Sequence, residues 1–292
     1  MGPALKYHNP EIPEGINTTE THPLKEFSFL LSATLAGVIS ITAILAVSVE
    51  WAVQYVPFEF ETRLSQPVAE KFNDETNEVD EYLQQLADKI IPYMDLLENV
   101  EIKVHYVNED VVNAMATLGG HVMIYRGLLE QVPDENTLVM LLGHEIGHVK
   151  FRHPVKALGK GVVIGLVLSS ILGQSSDSVA NVITDTSMLT MLSFNREQEQ
   201  DSDVEGIKVL NAYYGHVQGA TELFEILEKE HEEKGIDVPQ FLSSHPDTEN
   251  RISHLNALAY IQGWIQQGKP RPIPGYILKR IAADKEQAKQ EE

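Results

Sequence analysis

Leu138-Val139-Met140-Leu141-Leu142-Gly143-His144-Glu145-Ile146-Gly147-His148 is the stretch whose reading decides the fold. The apolar run reads as helix. On a helix, positions four apart share a face, so His144 and His148 project side by side and can grip one zinc ion. Glu145, one step round, can reach a water on the same metal and take its proton. The competing reading is two histidines and a glutamate on a solvated helix face.

A hydrolytic zinc site wants three protein ligands and one position left for water, so a third ligand must come from elsewhere. The long His-Glu-x-x-His-x-x-Gly-x-x-His pattern does not supply it. Phe151 stands where its Gly belongs and Pro154 where its last His belongs. His153 falls one residue short and reads as a helix-end or packing histidine. The alternative is a glutamate on a second helix, with an acid one turn later. Asn195 to Ile207 offers Glu199 and Asp203 on one face. Asp203 would accept the free ring N–H of a ligating His and fix its tautomer. Glu197, Asp201 and Glu205 compete by composition, because this helix is acidic throughout.

Glu-x-x-x-Asp downstream of His-Glu-x-x-His is the gluzincin arrangement. Arg196-x-x-Glu199-x-x-Ser202-Asp203 resembles the Ser-Arg-x-x-Glu-x-x-Ala-Asp signature of the HtpX-like and CAAX-prenyl-protease-like zinc peptidases. Asn195 and Ser202 depart from it, and neither is a candidate ligand. Asn113 to Gly120, continuing to Gly127-Leu128-Leu129, is similar to that family's Asn-Ala-Phe-Ala-x-x-Gly-Gly strand and Gly-Leu-Leu turn. Ser244-His245-Pro246, followed by Arg251-Ile252, resembles its Ser/Thr-His-Pro-x-x-x-x-Arg-Ile block. The blocks run in order over roughly residues 80 to 260.

The resemblance implies an α+β, mostly helical, zincin-like (minigluzincin) domain with a small sheet. It implies one Zn²⁺ per chain on His144, His148 and Glu199, with Asp203 behind a ligand and Glu145 as general base. The implied activity is that of a zinc metalloendopeptidase acting on unfolded, damaged or misassembled envelope and membrane proteins. The developing oxyanion needs a donor beyond the metal, from His245 or Arg251. His245 could instead cap the zinc at rest, or serve only as a turn residue before Pro246. The strand Gly120, His121, Val122, Met123 and Ile124 is expected to present an edge to which an extended substrate adds as a further strand. Within it, His121 is expected to pack or be solvated. A second reading is a membrane-tethered chaperone or adaptor whose zinc site is latent or structural; Glu145 argues against it, since a structural site has no use for that carboxylate.

Phe27 to Val49 contains no charged residue and is long enough to cross a hydrocarbon core of about 30 Å. Trp51 and Tyr55 follow where an interfacial aromatic belt would sit. A cleaved signal peptide would need a short basic leader, whereas Glu11, Glu14, Glu20 and Glu26 outnumber Lys6 and Lys25. The expectation is one uncleaved span anchoring the chain in a bilayer. Lys25 at its N-terminal edge, against Arg63 as the first basic residue beyond it, favours an inner membrane with the catalytic domain on the periplasmic side. Full CAAX proteases span the membrane several times, so their substrate specificity is not carried over. Gly161 to Gly173 is too short to span, leaving a buried helix or a segment dipping into the membrane face.

The chain has 292 residues, no Cys and a net charge of −21. Disulfides, thiolate ligands and a cysteine nucleophile are excluded. With no basic patch, nucleic acid is not an expected partner. A homo-oligomer stays open. The expected division is a polar tail (1 to 26), the anchor (27 to 49), a peptidase domain (57 to 268) and a charged C-terminal tail (269 to 292). Helices are expected near 79 to 87, from Pro133-Asp134 with Asp134 as N-cap, from Asn195 to Leu210, and around 218 to 234 and 249 to 267. Residues 101 to 107 and 120 to 125 read as strands, and 174 to 193 as a flexible insert.

Overall fold

The computed structural model describes residues 11, 22–66, 69–70, 77–172, 194–234, 240–246 and 248–291. In chain order its main elements begin with α1 (Pro23–Ala52), α2 (Phe58–Leu64) and α3 (Glu78–Ile90). Next come β1 (Lys103–Val107), β2 (Ala114–Ala116), β3 (His121–Tyr125) and α4 (Arg126–Leu129). Then follow α5 (Glu135–Lys150), α6 (His153–Leu172) and α7 (Arg196–Tyr214). The chain closes with α8 (Glu222–Lys234), α9 (Gln240–Ser244), α10 (Thr248–Gln262) and α11 (Gly275–Glu291). The expected insert at 174 to 193 and almost all of the expected N-terminal tail lie outside the described residues.

Two compact units divide between Ile44 and Leu45. The first holds the apolar length of α1, where no residue of the helix is buried and Phe29, Ile39 and Ile44 stand exposed. The second holds everything that carries the site.

At its centre lies α5, buried without interruption from Glu135 to Val149. A helix apolar on every side belongs in a core, which is why this stretch shows no amphipathic stripe. Asp134 caps it as expected, accepting the Thr137 N–H at 2.8 Å. Its partner α7 starts on a reciprocal cap between Asn195 and Gln198 and stops at Gly215, whose φ of 76° is left-handed. The two helices meet backbone to backbone. A Cβ placed on Gly143 would lie 3.0 Å from Gly206 Cα, and one on Gly147 would lie 3.1 Å from Ser202 Cα. Small residues at four-residue spacing on both helices permit that approach.

The sheet lies in the order β1-β3-β2. β3 runs parallel to β1, with Lys103 opposite His121, and antiparallel to β2, with Ala114 opposite Ile124. The expectation of an open edge along Gly120 to Ile124 is therefore corrected. Gly119 and Gly120, at φ 72° and 84°, fold β2 back onto β3, so β3 is paired on both sides and its residues are buried. The left-handed turn is legible as Gly-Gly, but which strand it leaves outermost depends on β1, far away in sequence.

The C-terminal segment is also corrected. α11 is charged on its outside, but Ile277 and Ile281, with Ile273 before it, are buried in the main core, so it closes the domain instead of trailing from it. In α6 the apolar stretch from Gly161 does not bury itself: Ile164 and Leu166 are each 47% exposed, which leaves the buried-helix option behind.

Candidate metal centre

His144 and His148 emerge side by side from the buried face of α5, and Glu199 meets them from the first turn of α7. His148 Nε2 lies 3.0 Å from His144 Nε2, and the Glu199 carboxylate lies 3.5 Å from one and 3.6 Å from the other. His245, just past α9, joins them with Nδ1 3.1 Å from Glu199 and 3.3 Å from His144 Nε2. One ligand atom from each of the four lies within 4.8 Å of the others, and all four residues are buried.

The groups behind this cluster set its proton positions. An ionised carboxylate only accepts, so the 2.9 Å contact between His144 Nδ1 and Asp203 Oδ1 is donated by the ring. That leaves His144 Nε2 facing the cluster. Burial would raise the Asp203 carboxyl, but the Arg251 guanidinium and the hydrogen bonds from Arg251 and His144 hold it well below the usual carboxylate range. Burial would likewise raise Glu199, and His245, Arg251 and His144 outweigh it and keep it ionised. His148 is pushed well down by burial and by the facing His144 and His245, so it is neutral. Imidazole nitrogens and an ionised carboxylate converging in a dry site make a donor set that suits a small divalent cation. Zinc fits these residue types.

Glu145 is the other sign of an unfinished site. It is wholly buried, yet neither carboxylate oxygen has a hydrogen-bond partner. Its nearest charged neighbour is His245, whose Nε2 is 3.6 Å from Oε1 and is itself unpartnered. A buried orphan carboxylate is costly unless something outside the fold completes it.

Of the remaining expected site residues, Asp203 stands where it was expected, behind His144. Arg251 does not. Its Nε and Nη2 donate to the two Asp203 oxygens at 2.8 and 2.7 Å, and Nη1 faces His245 O at 3.1 Å and Glu199 at 2.9 Å. Four of its five N–H donors are thus committed to two carboxylates and a backbone carbonyl, and these contacts hold the carboxylates in place. Gly120, His121, Val122, Met123 and Ile124 do not line an open edge. His121 instead packs within the sheet, its Nδ1 2.8 Å from His105 Nε2.

Two further residues, neither expected at the site, touch His148. Phe194 stacks on His148 with ring centroids 3.9 Å apart. His153, read as a packing histidine, places Nδ1 3.0 Å from His148 Nδ1. The sequence signal for His153 was its position one turn past His148, just beyond the helix end. Phe194 carried none.

A small apolar recess opens beside His144, lined by Thr137, Met140, Leu141, Leu223, Phe224 and Phe241 among others. The backbone at the far side of the site matters too. Tyr125 N donates to Asn113 O and Thr117 N to His121 O, so by antiparallel alternation Ala114 and Ala116 turn their N–H and C=O groups away from β3. On that outer side Phe241 N already donates to Val112 O, and Asn113 takes the Ser244 hydroxyl one residue before His245.

A family model described as Peptidase family M48 matches residues 75–259. Among curated proteins, the mitochondrial metalloendopeptidase OMA1 of Saccharomyces cerevisiae is 25% identical over 169 residues, covering 55% of this chain and 48% of that protein. The beta-barrel assembly-enhancing protease of Escherichia coli K12 is 26% identical over 185 residues, covering 59% of this chain and 37% of that protein. Human OMA1 is 25% identical over 166 residues, 53% of this chain and 32% of its own length. The chain thus spans about half or less of the length of these relatives.

Proposed function

The chain belongs to peptidase family M48, and from that premise we propose that it is a membrane-anchored, zinc-dependent endopeptidase of unfolded or misassembled proteins. The observation that carries the proposal is the convergence of His144, His148 and Glu199 beside a buried Glu145 with no hydrogen-bond partner.

His144, His148 and Glu199 would hold one zinc ion. Bound there, zinc would supply Lewis acidity, easing the ionisation of a water and polarising a scissile carbonyl. Glu145 then accepts the proton of the attacking water and delivers it to the leaving amine. Asp203 and Arg251 keep His144 in the tautomer that exposes Nε2, and Arg251 keeps Glu199 ionised. His245 has the one free ring nitrogen aimed at Glu145, and can donate to the developing oxyanion when it swings off the cluster.

Substrate would add to the outer edge of β2, where the backbone groups of Ala114 and Ala116 face away from β3. Binding of that kind is made through the main chain, tolerates many sequences and requires an extended, unfolded segment. This supports a role in protein quality control, in keeping with the beta-barrel assembly-enhancing name of one relative. α1 is the one described helix long and apolar enough to cross a membrane, and its exposed face supports an anchor there. The placement of Lys25 and Arg63 supports an inner membrane with the catalytic unit on its periplasmic side.

A second reading has its own observation. His245 completes four donor groups, the count of a closed structural site, which suits a latent peptidase or a tethered chaperone. The test is zinc content and casein cleavage by the full chain in detergent, as wild type, Glu145→Gln and His245→Ala. Zinc in all three with cleavage lost only in Glu145→Gln supports the peptidase. Cleavage appearing only in His245→Ala supports the latent site. No zinc in wild type overturns both.

A further inference from the structure

The two histidines of α5 are gripped from behind by different groups. His144 has the carboxylate of Asp203. His148 has only another imidazole: its Nδ1 faces His153 Nδ1 at 3.0 Å, and His153 is 1% exposed. If His148 Nε2 is to meet a metal, Nδ1 must carry the ring proton, and His153 Nδ1 is the acceptor in reach.

His153 is delivered there by a strained turn. Between the end of α5 and the start of α6, Arg152 sits at φ 58°, a region that costs a non-glycine residue about 1 kcal/mol and persists only when its surroundings hold it. Its guanidinium supplies the hold. Nη1 donates to the carbonyls of Val53 and Val56 at 2.8 and 2.6 Å, and Nε donates to Glu61 at 2.7 Å. All three acceptors belong to the short segment that directly follows α1.

We propose that His153 is a positioning residue for His148, and that Arg152 sets it from the segment after α1. Residues 53 to 61 fix the turn, the turn fixes His153, and His153 accepts the His148 Nδ1–H so that Nε2 is free for the metal. The seating of the chain just past its apolar helix is thereby felt at the metal centre. The inference rests on reading His148 as a metal ligand.

The test is the zinc affinity of the full chain in micelles, by chelator competition, read beside the thermal midpoint of the zinc-free protein. His153→Phe should bind zinc about 10- to 100-fold more weakly with that midpoint little changed. His153→Asn, whose amide oxygen can accept, should recover most of the loss. Arg152→Asn keeps a residue that tolerates the left-handed turn but drops the guanidinium, and should weaken zinc by a smaller factor. Wild-type affinity in His153→Phe overturns the proposal, as does equal weakness in His153→Phe and His153→Asn, which would mean packing alone. Wild-type affinity in Arg152→Asn overturns the link to residues 53 to 61. Should the variants not fold, imidazole ¹⁵N spectra of the wild-type zinc protein decide: an unprotonated His153 Nδ1 coupled to the His148 Nδ1–H supports the proposal, and a protonated one overturns it. A wild-type chain that takes up no zinc removes the metal-site reading itself, before any variant is made, and the proposal with it.

Discussion

The two ends of α5 each bury a glutamate, and they treat it in opposite ways. At the N-terminal end Glu135 accepts the Tyr82 hydroxyl at 3.0 Å and the Tyr214 hydroxyl at 2.9 Å, with Arg271 3.3 Å away. Burial, then Glu135 itself, pushes both phenols above their ordinary range, so they remain donors. The backbone joins in: Glu135 N donates to Arg271 O, and Arg271 N to Asn136 Oδ1, each at 2.8 Å. Ten residues on, Glu145 is more deeply buried and has no hydrogen-bond partner. Within one helix, one buried glutamate is fully hydrogen-bonded and the other has no hydrogen-bond partner. A buried charge left without partners lowers stability, and it persists where a bound group or a substrate completes it.

The sharpest way to break this comparison is Glu145→Gln. Cleavage of unfolded casein should fall by about 10⁴-fold, equivalent to ~5 kcal/mol, while the thermal midpoint holds or rises because a buried charge has been removed. A midpoint several degrees lower would mean that Glu145 is structural after all. Stripping zinc with a chelator should come next, lowering stability by ~4 kcal/mol for a metal held at a thousand times its dissociation constant. Calorimetry with and without chelator measures it, and no change would leave the converging nitrogens unexplained.

Glu135→Ala tests the other end. It should cost about 3 kcal/mol, because a buried and a half-buried hydroxyl lose their acceptor, yet leave zinc affinity as in wild type. Denaturant unfolding beside chelator competition separates the two effects. The smallest effect lies in the sheet. Burial, then His105 and Lys103, lowers His121 from 6.5 to about 4. The unfolded chain takes up a proton near pH 6.5 that the folded chain refuses until near pH 4. Stability should be full above pH 6.5 and fall as the pH drops through that window. His121→Gln should flatten that slope in unfolding curves collected from pH 7 to 4.

How much of this could be read from the sequence follows from the range of each interaction. The metal helix, its Asp134 cap, the second helix and the pairing of Glu199 with Asp203 depend on spacings within a few turns, and the sequence carries them. The strand pairing does not. Gly119-Gly120 announces a turn, but only the distant β1 makes β3 central and leaves β2 as the edge. Arg251 was misjudged for a related reason. A motif shows that an arginine is close to the site, but only packing reveals that most of its donors go to Asp203, Glu199 and His245 O. His153 fails one known ligand spacing, and its contact is with the His148 ring, which no spacing rule reports.

The glycines between α5 and α7 have a last consequence, which concerns choice of ion. Gly143, Gly147, Ser202 and Gly206 let the two backbones close to near contact, and that gap sets how far Glu199 stands from the two histidines. The distance is therefore gauged by absent side chains, not by any residue that touches the cation. Selectivity among divalent ions rests on geometry more than on raw affinity. A single methyl on Gly147 would meet Ser202 Cα at 3.1 Å, so the helix packing would have to give by a few tenths of an ångström with every candidate ligand still in the sequence.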